Sequence, residues 1–291
     1  MKDYIIRGID KKGNLRLFVA STTNLVERAR TIHNTSPTAT AALGRSLTAA
    51  AMMGIVLKGD RVSLTFKIKG DGPLGNLVTV ANNRGEVKGY VDYPYADVPS
   101  RADGKLDVGA IIGKNGQLAV IKDLGLKESY SGQSRLISGE IAEDLVHYFY
   151  MSEQQPSVIS LGVLVDKDIS VKASGGYILQ LLPDADEEYI DRIEKALKNV
   201  KPISTLVDEG LTPEEIMETL FHEFEMEVLD KIYVKYKCEC NRERIEKVLL
   251  SLGEKDIKNM IEEDGKAEIV CHFCNTKYNF SKDDLLGLIK Y

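Results

Sequence analysis

Every cysteine in the chain belongs to one of two tight pairs, Cys238-x-Cys240 and Cys271-x-x-Cys274, with 30 residues between them. A turn of this kind points two sulfurs and several backbone amides at one cation, and a second pair completes a tetrahedral shell. Four unrelated buried cysteines would not be distributed this way. The spacing therefore predicts one metal site per chain, and zinc, which favours all-sulfur shells, is the expected ion. Four thiolates leave no open position for water or substrate, so the expected role is structural and not hydrolytic. His272 could replace one sulfur, but it sits inside the turn between two better ligands.

A chain of 291 residues is long enough for two domains, or for one large domain and an appendage. Its net charge of −6 is unevenly spread. Residues 1–183 carry a balance of +4, residues 184–230 a balance of −11, and residues 231–291 a balance of +1. An acidic segment thus separates two nearly neutral ends, and three regions are expected: a core over 1–183, a linker over 184–230 and a metal domain over 231–291. No apolar stretch approaches the roughly 20 residues that span a bilayer. The residues from Met1 run into a strand-like pattern without the features of a signal peptide. A cytoplasmic location follows, where thiols stay reduced and clustered cysteines more often hold metal than permanent disulfides.

The first region reads as a mixture of strands and helices, giving an α+β fold overall. Ser36-Pro37 predicts a capped helix start, and the alanines from Ala39 to Ala51 predict a buried helix closely approached by its neighbours. Strands are expected over 15–20, 62–68, 77–81, 87–91 and 118–121, with an antiparallel pair at 163–165 and 170–182. Ser138 is expected to cap a helix over 140–152. In the acidic linker, Ile190, Ile193 and Leu197 mark one helix, and the capping box Thr212-Pro213-Glu214-Glu215 announces another. A solvated segment is the default reading of this linker, and its narrow apolar stripes need a surface to lie against. In the last region, 231–237 alternates into the first cysteine pair, Asn241 caps a helix, and Gly265 ends a second. A strand carrying Tyr278 and Phe280 follows the second pair, and Ser281 opens a final helix.

Other motifs carry less. Gly70-Asp71-Gly72-Pro73-Leu74-Gly75 matches a dinucleotide fingerprint, but a strand follows it where a helix is required, so it reads as a hairpin turn. No phosphate-binding loop occurs. His33, His147 and His222 stand apart from one another, and no triad or paired-carboxylate pattern emerges. No catalytic residue is assigned, and the chain is not read as an enzyme.

The cysteine pairs, with Asn275 after them and Met260-Ile261-Glu262-Glu263-Asp264-Gly265 before the second, resemble the zinc domain of the heat-shock protein 33 family. Nearly the whole chain shares the resemblance, including the block from Pro37 to Arg45, the Gly70–Gly75 loop and Lys122–Glu128. The blocks Ser138–Leu145, Ser152–Ser157 and Gly210–Glu215 match as well, and no cysteine position departs from the pattern. The resemblance implies a redox-regulated holdase chaperone that works without ATP under oxidative and heat stress. It implies an inactive reduced form with zinc on Cys238, Cys240, Cys271 and Cys274. It further implies that oxidation pairs Cys238 with Cys240 and Cys271 with Cys274, releases zinc and unfolds the zinc domain and linker. The expected partners are unfolded or oxidatively damaged client proteins, with a homodimer as the active form and neither nucleic acid nor membrane involved.

The residues support such a switch on their own terms. A domain of about 60 residues has little core, whereas structural zinc contributes on the order of 10–16 kcal/mol to folding small metal domains. A disulfide is a poor metal donor, so oxidation removes that contribution. Lys231, Lys235, Lys237, Arg242 and Arg244 flank the first pair and are expected to favour thiolate. These cations also suggest the competing reading, a zinc-ribbon nucleic-acid binder, although the balance of +1 and the acidic linker oppose it. A thiol–disulfide oxidoreductase, suggested by C-x-x-C, lacks a thioredoxin-like βαβ context, and a zinc hydrolase lacks an open ligand position.

Overall fold

The computed structural model describes residues 2–183, 185–198 and 200–289; Met1, Asp184, Asn199, Lys290 and Tyr291, which mark ends of expected regions or fall within them, lie outside the described residues. The chain divides into two compact units, Met1–Lys237 and Cys238–Tyr291.

The larger unit begins with strands β1 (Tyr4–Asp10) and β2 (Leu15–Ser21) and helices α1 (Thr23–His33) and α2 (Pro37–Gly54). Strands β3 (Ser63–Lys69), β4 (Asn76–Asn82) and β5 (Glu86–Val91), helix α3 (Val108–Ile112), and strands β6 (Gln117–Asp123) and β7 (Tyr130–Arg135) follow. Helix α4 (Ala142–Ser152) leads into β8 (Ser157–Val165) and β9 (Val171–Leu181). The acidic stretch supplies α5 (Glu187–Leu197), α6 (Ile203–Asp208) and α7 (Pro213–Phe221), after which come β10 (Met226–Tyr233) and the short β11 (Lys235–Tyr236).

Two sheets result. One has the order β10-β1-β2-β9-β8, and the other β11-β5-β4-β3-β6-β7. All neighbours are antiparallel except β11, which joins β5 in parallel through Lys235↔Glu86 and Tyr236↔Val87. Helix α2 packs against β8 and β9 of the first sheet and against β3, β4 and β5 of the second. That position explains its alanines: 16 of its 18 residues are buried, and a Cβ at Gly44 would lie 2.6 Å from Val26. Its start is as expected, with Ser36 Oγ accepting from Ala39 N at 3.2 Å and Pro37 in the first turn.

The first sheet is apolar on both faces, so its central strands are buried almost continuously instead of alternating. Ile5, Phe18, Ala20 and Ile178 belong to the core around α2. Tyr4, Ile6, Leu15, Leu17, Val19, Tyr177 and Leu179 point the other way, into a second core completed by α5, α6 and α7. The acidic segment is therefore not a solvated tether. Its stripes, with Tyr189, Ile193, Ile203, Leu206, Ile216 and Leu220 buried, lie against the sheet. The capping box of α7 forms as expected, Glu215 N bonding to Thr212 Oγ1 and Glu215 Oε2 accepting from Thr212 N. Strand β10 runs through the expected region boundary at residue 231 and pairs with β1 from Tyr4↔Tyr233 to Asp10↔Met226.

Two further expectations need correction or refinement. Ser138 does not cap the helix it precedes. Helix α4 begins at Ala142, and the buried Asp144 carboxylate reaches back to Ile137, Ser138 and Ile141 N–H groups, while Ser138 Oγ accepts only from Glu140 N. The Gly70–Gly75 segment is a hairpin loop joining β3 to β4, as expected. Its glycines are required by close approach, since a Cβ at Gly70 would lie 2.0 Å from Ile112 O.

Candidate metal centre

The smaller unit contains α8 (Arg242–Leu252), α9 (Glu254–Glu263), a hairpin of β12 (Lys266–Val270) and β13 (Lys277–Ser281), and α10 (Lys282–Leu288). Only Ile245, Leu249, Ile257, Phe280 and Leu285 are buried in its core, among the described residues. Asn241 Oδ1 caps α8 through Arg244 N at 2.8 Å, and a Ser281–Asp284 capping box opens α10. Arg242 ties the pieces together. It donates to Glu246 and to Asn279 O, pairs with Asp284 at 3.0 Å, and sits over the Phe280 ring.

The second cysteine pair occupies the turn of the β12–β13 hairpin. Cys271 N bonds to Thr276 O at 3.0 Å and Asn275 N to Cys271 O at 2.8 Å, closing a tight loop. Asn275 adopts the left-handed region with φ 55°, a conformation its short amide tolerates better than most side chains. The first pair lies in the segment leading into α8. All four sulfurs come together within 4.8 Å of one another, each half-buried. Cys238 Sγ lies 3.7 Å from Cys271 Sγ, and Cys240 Sγ lies 3.2 Å from Cys274 Sγ. A tetrahedral ion with metal–sulfur bonds of about 2.3 Å spaces its sulfurs by roughly 3.8 Å, so the donor set suits a single ion.

Backbone amides support the sulfurs. Cys238, Cys271 and Cys274 each accept from the N–H two residues further on, at Cys240, Phe273 and Thr276. Burial, reinforced by neighbouring thiols, pushes the Cys238 thiol far up, and burial likewise raises Cys271. Burial opposes ionisation of Cys274 too, but the Thr276 hydroxyl and amide and the adjacent thiols bring it down to about 7. The Tyr278 hydroxyl donates to Cys240 Sγ at 3.2 Å, and that bond pushes the phenol up to about 12. Crowded sulfurs of this kind cannot all carry charge without a cation among them, because each thiolate disfavours the next.

The four cysteines predicted from spacing are thus brought together, and His272 is not part of the cluster. The expectation that flanking cations favour thiolate is corrected. Lys231 pairs with Glu214 and Lys237 with Glu86, while Arg242 pairs with Glu246 and Asp284. Lys235 and Arg244 each lie 4.0 Å from a carboxylate, of Glu86 and Glu239. These charges are answered by neighbouring acids, many of them distant in sequence. Spacing alone missed Tyr278 and Thr276; the only signal was the alternation of Tyr278 with Phe280.

Fold and site define an α+β protein with a C-terminal four-cysteine centre able to bind a metal ion. The family model described as "Hsp33 protein" matches residues 3–281. A 33 kDa chaperonin of Clostridium botulinum is 50% identical over 290 residues, covering 100% of this chain and 98% of the relative. A 33 kDa chaperonin of Desulforamulus reducens is also 50% identical, with the same coverage. The crystal structure of the Thermotoga maritima 33 kDa chaperonin superposes with a TM-score of 0.92 at 40% identity, covering 100% of this chain and 98% of that one. The chain belongs to the Hsp33 family, and that membership supports a chaperone function. Among the described residues no helix is long and apolar enough to cross a membrane.

Proposed function

We propose that this chain is a redox-regulated, ATP-independent holdase of the cytoplasm that keeps unfolding proteins from aggregating during oxidative and heat stress. The observation that carries the reading is the gathering of four sulfurs in a unit with so small an apolar core. Cys238, Cys240, Cys271 and Cys274 would hold one zinc per chain, which would supply a cross-link tying the α8 lead-in to the β12–β13 hairpin. In that reduced state the protein is inactive. Each disulfide forms as two cysteines give up two electrons, and one hydrogen peroxide is reduced to two waters. After two such events none of the four sulfurs would remain a thiolate able to hold the ion.

The pairing matters mechanically. Cys238–Cys240 and Cys271–Cys274 disulfides each close within one segment and leave the two segments untied. Disulfides across the segments would instead replace the metal as a staple and hold the unit shut. The in-segment pairing is the one that the likeness to the Hsp33 family implies, and on this reading it is the one that opens the smaller unit. We further propose that α5, α6 and α7 then leave the first sheet, uncovering Tyr4, Ile6, Leu15, Leu17, Val19, Tyr177 and Leu179 for clients. That apolar face has the chemistry an unfolded chain seeks, and its cover carries 15 carboxylates against 4 cations over 184–230, so repulsion favours its release once loosened. The active form is proposed to be a homodimer.

The zinc-ribbon alternative is weakened by the ion pairs around the cysteines and by a balance of 9 Lys/Arg against 11 Asp/Glu over 238–291. The deciding experiment follows aggregation of a heat-denatured client with reduced and with peroxide-treated protein, together with metal release and disulfide mapping. Suppression by the oxidised form alone, with one equivalent of zinc released and in-segment disulfides, is the expected outcome. Equal activity of both forms, or disulfides across the segments, contradicts the reading.

A further inference from the structure

Arg16 is a half-buried cation of the larger unit. It stands on β2 opposite Gln180 of β9, and its Nε and Nη2 both donate to Gln180 Oε1, at 3.1 and 2.7 Å. A guanidinium offers five donors and carries a permanent charge. Among the described residues no carboxylate pairs with it; burial works against its charge, and Arg7 adds repulsion. Arg7 itself pairs with Asp230.

Arg16 also lines a half-open cavity of about 160 Å³ in the larger unit. The next cross-strand pair on that face of the sheet, Phe18 and Ile178, also lines it, as do Met53 and Leu57 at the end of α2 and Phe149 of α4. Its polar lining also includes Gln155 and Gln180 and the charged pair Lys122 and Glu153, which satisfy each other at 2.6 Å while the Tyr148 hydroxyl donates to the same Glu153 oxygen. Glu153 is thus committed elsewhere, and among the described residues Arg16, whose guanidinium lies 5.6 Å from the Phe18 ring centroid, is the one charge of the lining with no carboxylate to answer it.

We infer that this cavity binds a small amphiphilic carboxylate, with its head on Arg16 and its tail among Phe18, Ile178 and Phe149. An apolar cavity of about 150 Å³ accommodates a six-carbon ring, so a tail of about five or six carbons fits. A charge-assisted bond to the guanidinium selects the anion, and burial of the tail selects length. The inference is independent of the metal and of the holdase reading.

The test uses the full-length, reduced, metal-loaded protein. Hexanoate, hexan-1-ol, hexylamine and acetate are titrated while methyl resonances of Met53, Leu57 and Ile178 are observed. Hexanoate is expected to saturate in the millimolar range or tighter and to shift those methyls, while the other three bind at least roughly tenfold more weakly. Arg16→Met, which preserves most of the side chain's length, lowers hexanoate affinity to that of hexan-1-ol. Equal binding of hexanoate and hexan-1-ol by the unaltered protein, or no saturable shift of these methyls, overturns the inference. That comparison decides the matter without relying on the folding of Arg16→Met.

Discussion

At the residue scale, the metal centre depends on more than its ligands. The Tyr278 hydroxyl is the side-chain donor to Cys240 Sγ, and second partners of this kind typically change metal affinity by about 10–100-fold. Tyr278→Phe keeps the ring against the small core and removes only that donor. Competition with a chromogenic chelator should therefore show weaker zinc retention with an unchanged one-to-one stoichiometry; unaltered retention would mean the hydroxyl is incidental. Glu86 provides a pH-dependent counterpart in the larger unit. Its bond to Lys237 is the chief reason its carboxyl falls to about 2, against burial and with help from Asn82 and Arg84. The folded pKa lies below the unfolded one, so this stabilisation is complete above about pH 5 and disappears as pH falls towards 2. Chemical denaturation should find Glu86→Gln less stable than the parent by about 1–2 kcal/mol at neutral pH, with the difference shrinking as pH falls through about 2. The four cysteines were legible because two pairs in sequence already imply one ion. The partners of Lys231 and Lys237 were not, because Glu214 and Glu86 reach them only through the pairing of β10 and β11 with distant strands.

At the scale of elements, local signals worked where the chain caps itself. Ser36, Thr212, Asn241 and Ser281 all mark helix starts in sequence and in structure. Helix α1 went unseen because its start has no local cap; Asp3, 22 residues upstream, accepts from Leu25 N at 2.6 Å. Strand β7 has the sequence YSGQSR and no apolar alternation, since it is an edge strand paired only with β6. The acidic helices were legible as helices, but their docking face was not, because that face is assembled from the N-terminal β1 and β2 together with β9, which are brought side by side only by the pairing of the sheet. Leu220 of α7 is 4% exposed within that contact. Leu220→Asp buries a charge there and should weaken the contact by about 3 kcal/mol or more without touching a metal ligand. The reduced variant is expected to suppress client aggregation with no oxidant present while its zinc stays bound. A reduced variant that remains inactive would show that release of α7 does not expose the client surface.

At the scale of the whole molecule, the chain joins a large unit with extensive apolar cores to a small one with five buried apolar residues and four clustered sulfurs among the described residues, whose stability is proposed to rest on a bound cation. Oxidation is proposed to act on the second, and the proposed client surface lies in the first beneath α5, α6 and α7. Removal of zinc should therefore matter as much as oxidation: a chelator strong enough to strip the reduced protein should unfold residues 238–289. The central claim is that this loss propagates to the acidic helices. Hydrogen exchange resolved by segment, followed after peroxide treatment alongside zinc release, tests it most directly. The account predicts that amides in 238–289 and in 185–230 lose protection as zinc departs, while α2 and the strands beside it stay protected. Zinc release that leaves 185–230 as protected as in the reduced protein would contradict it.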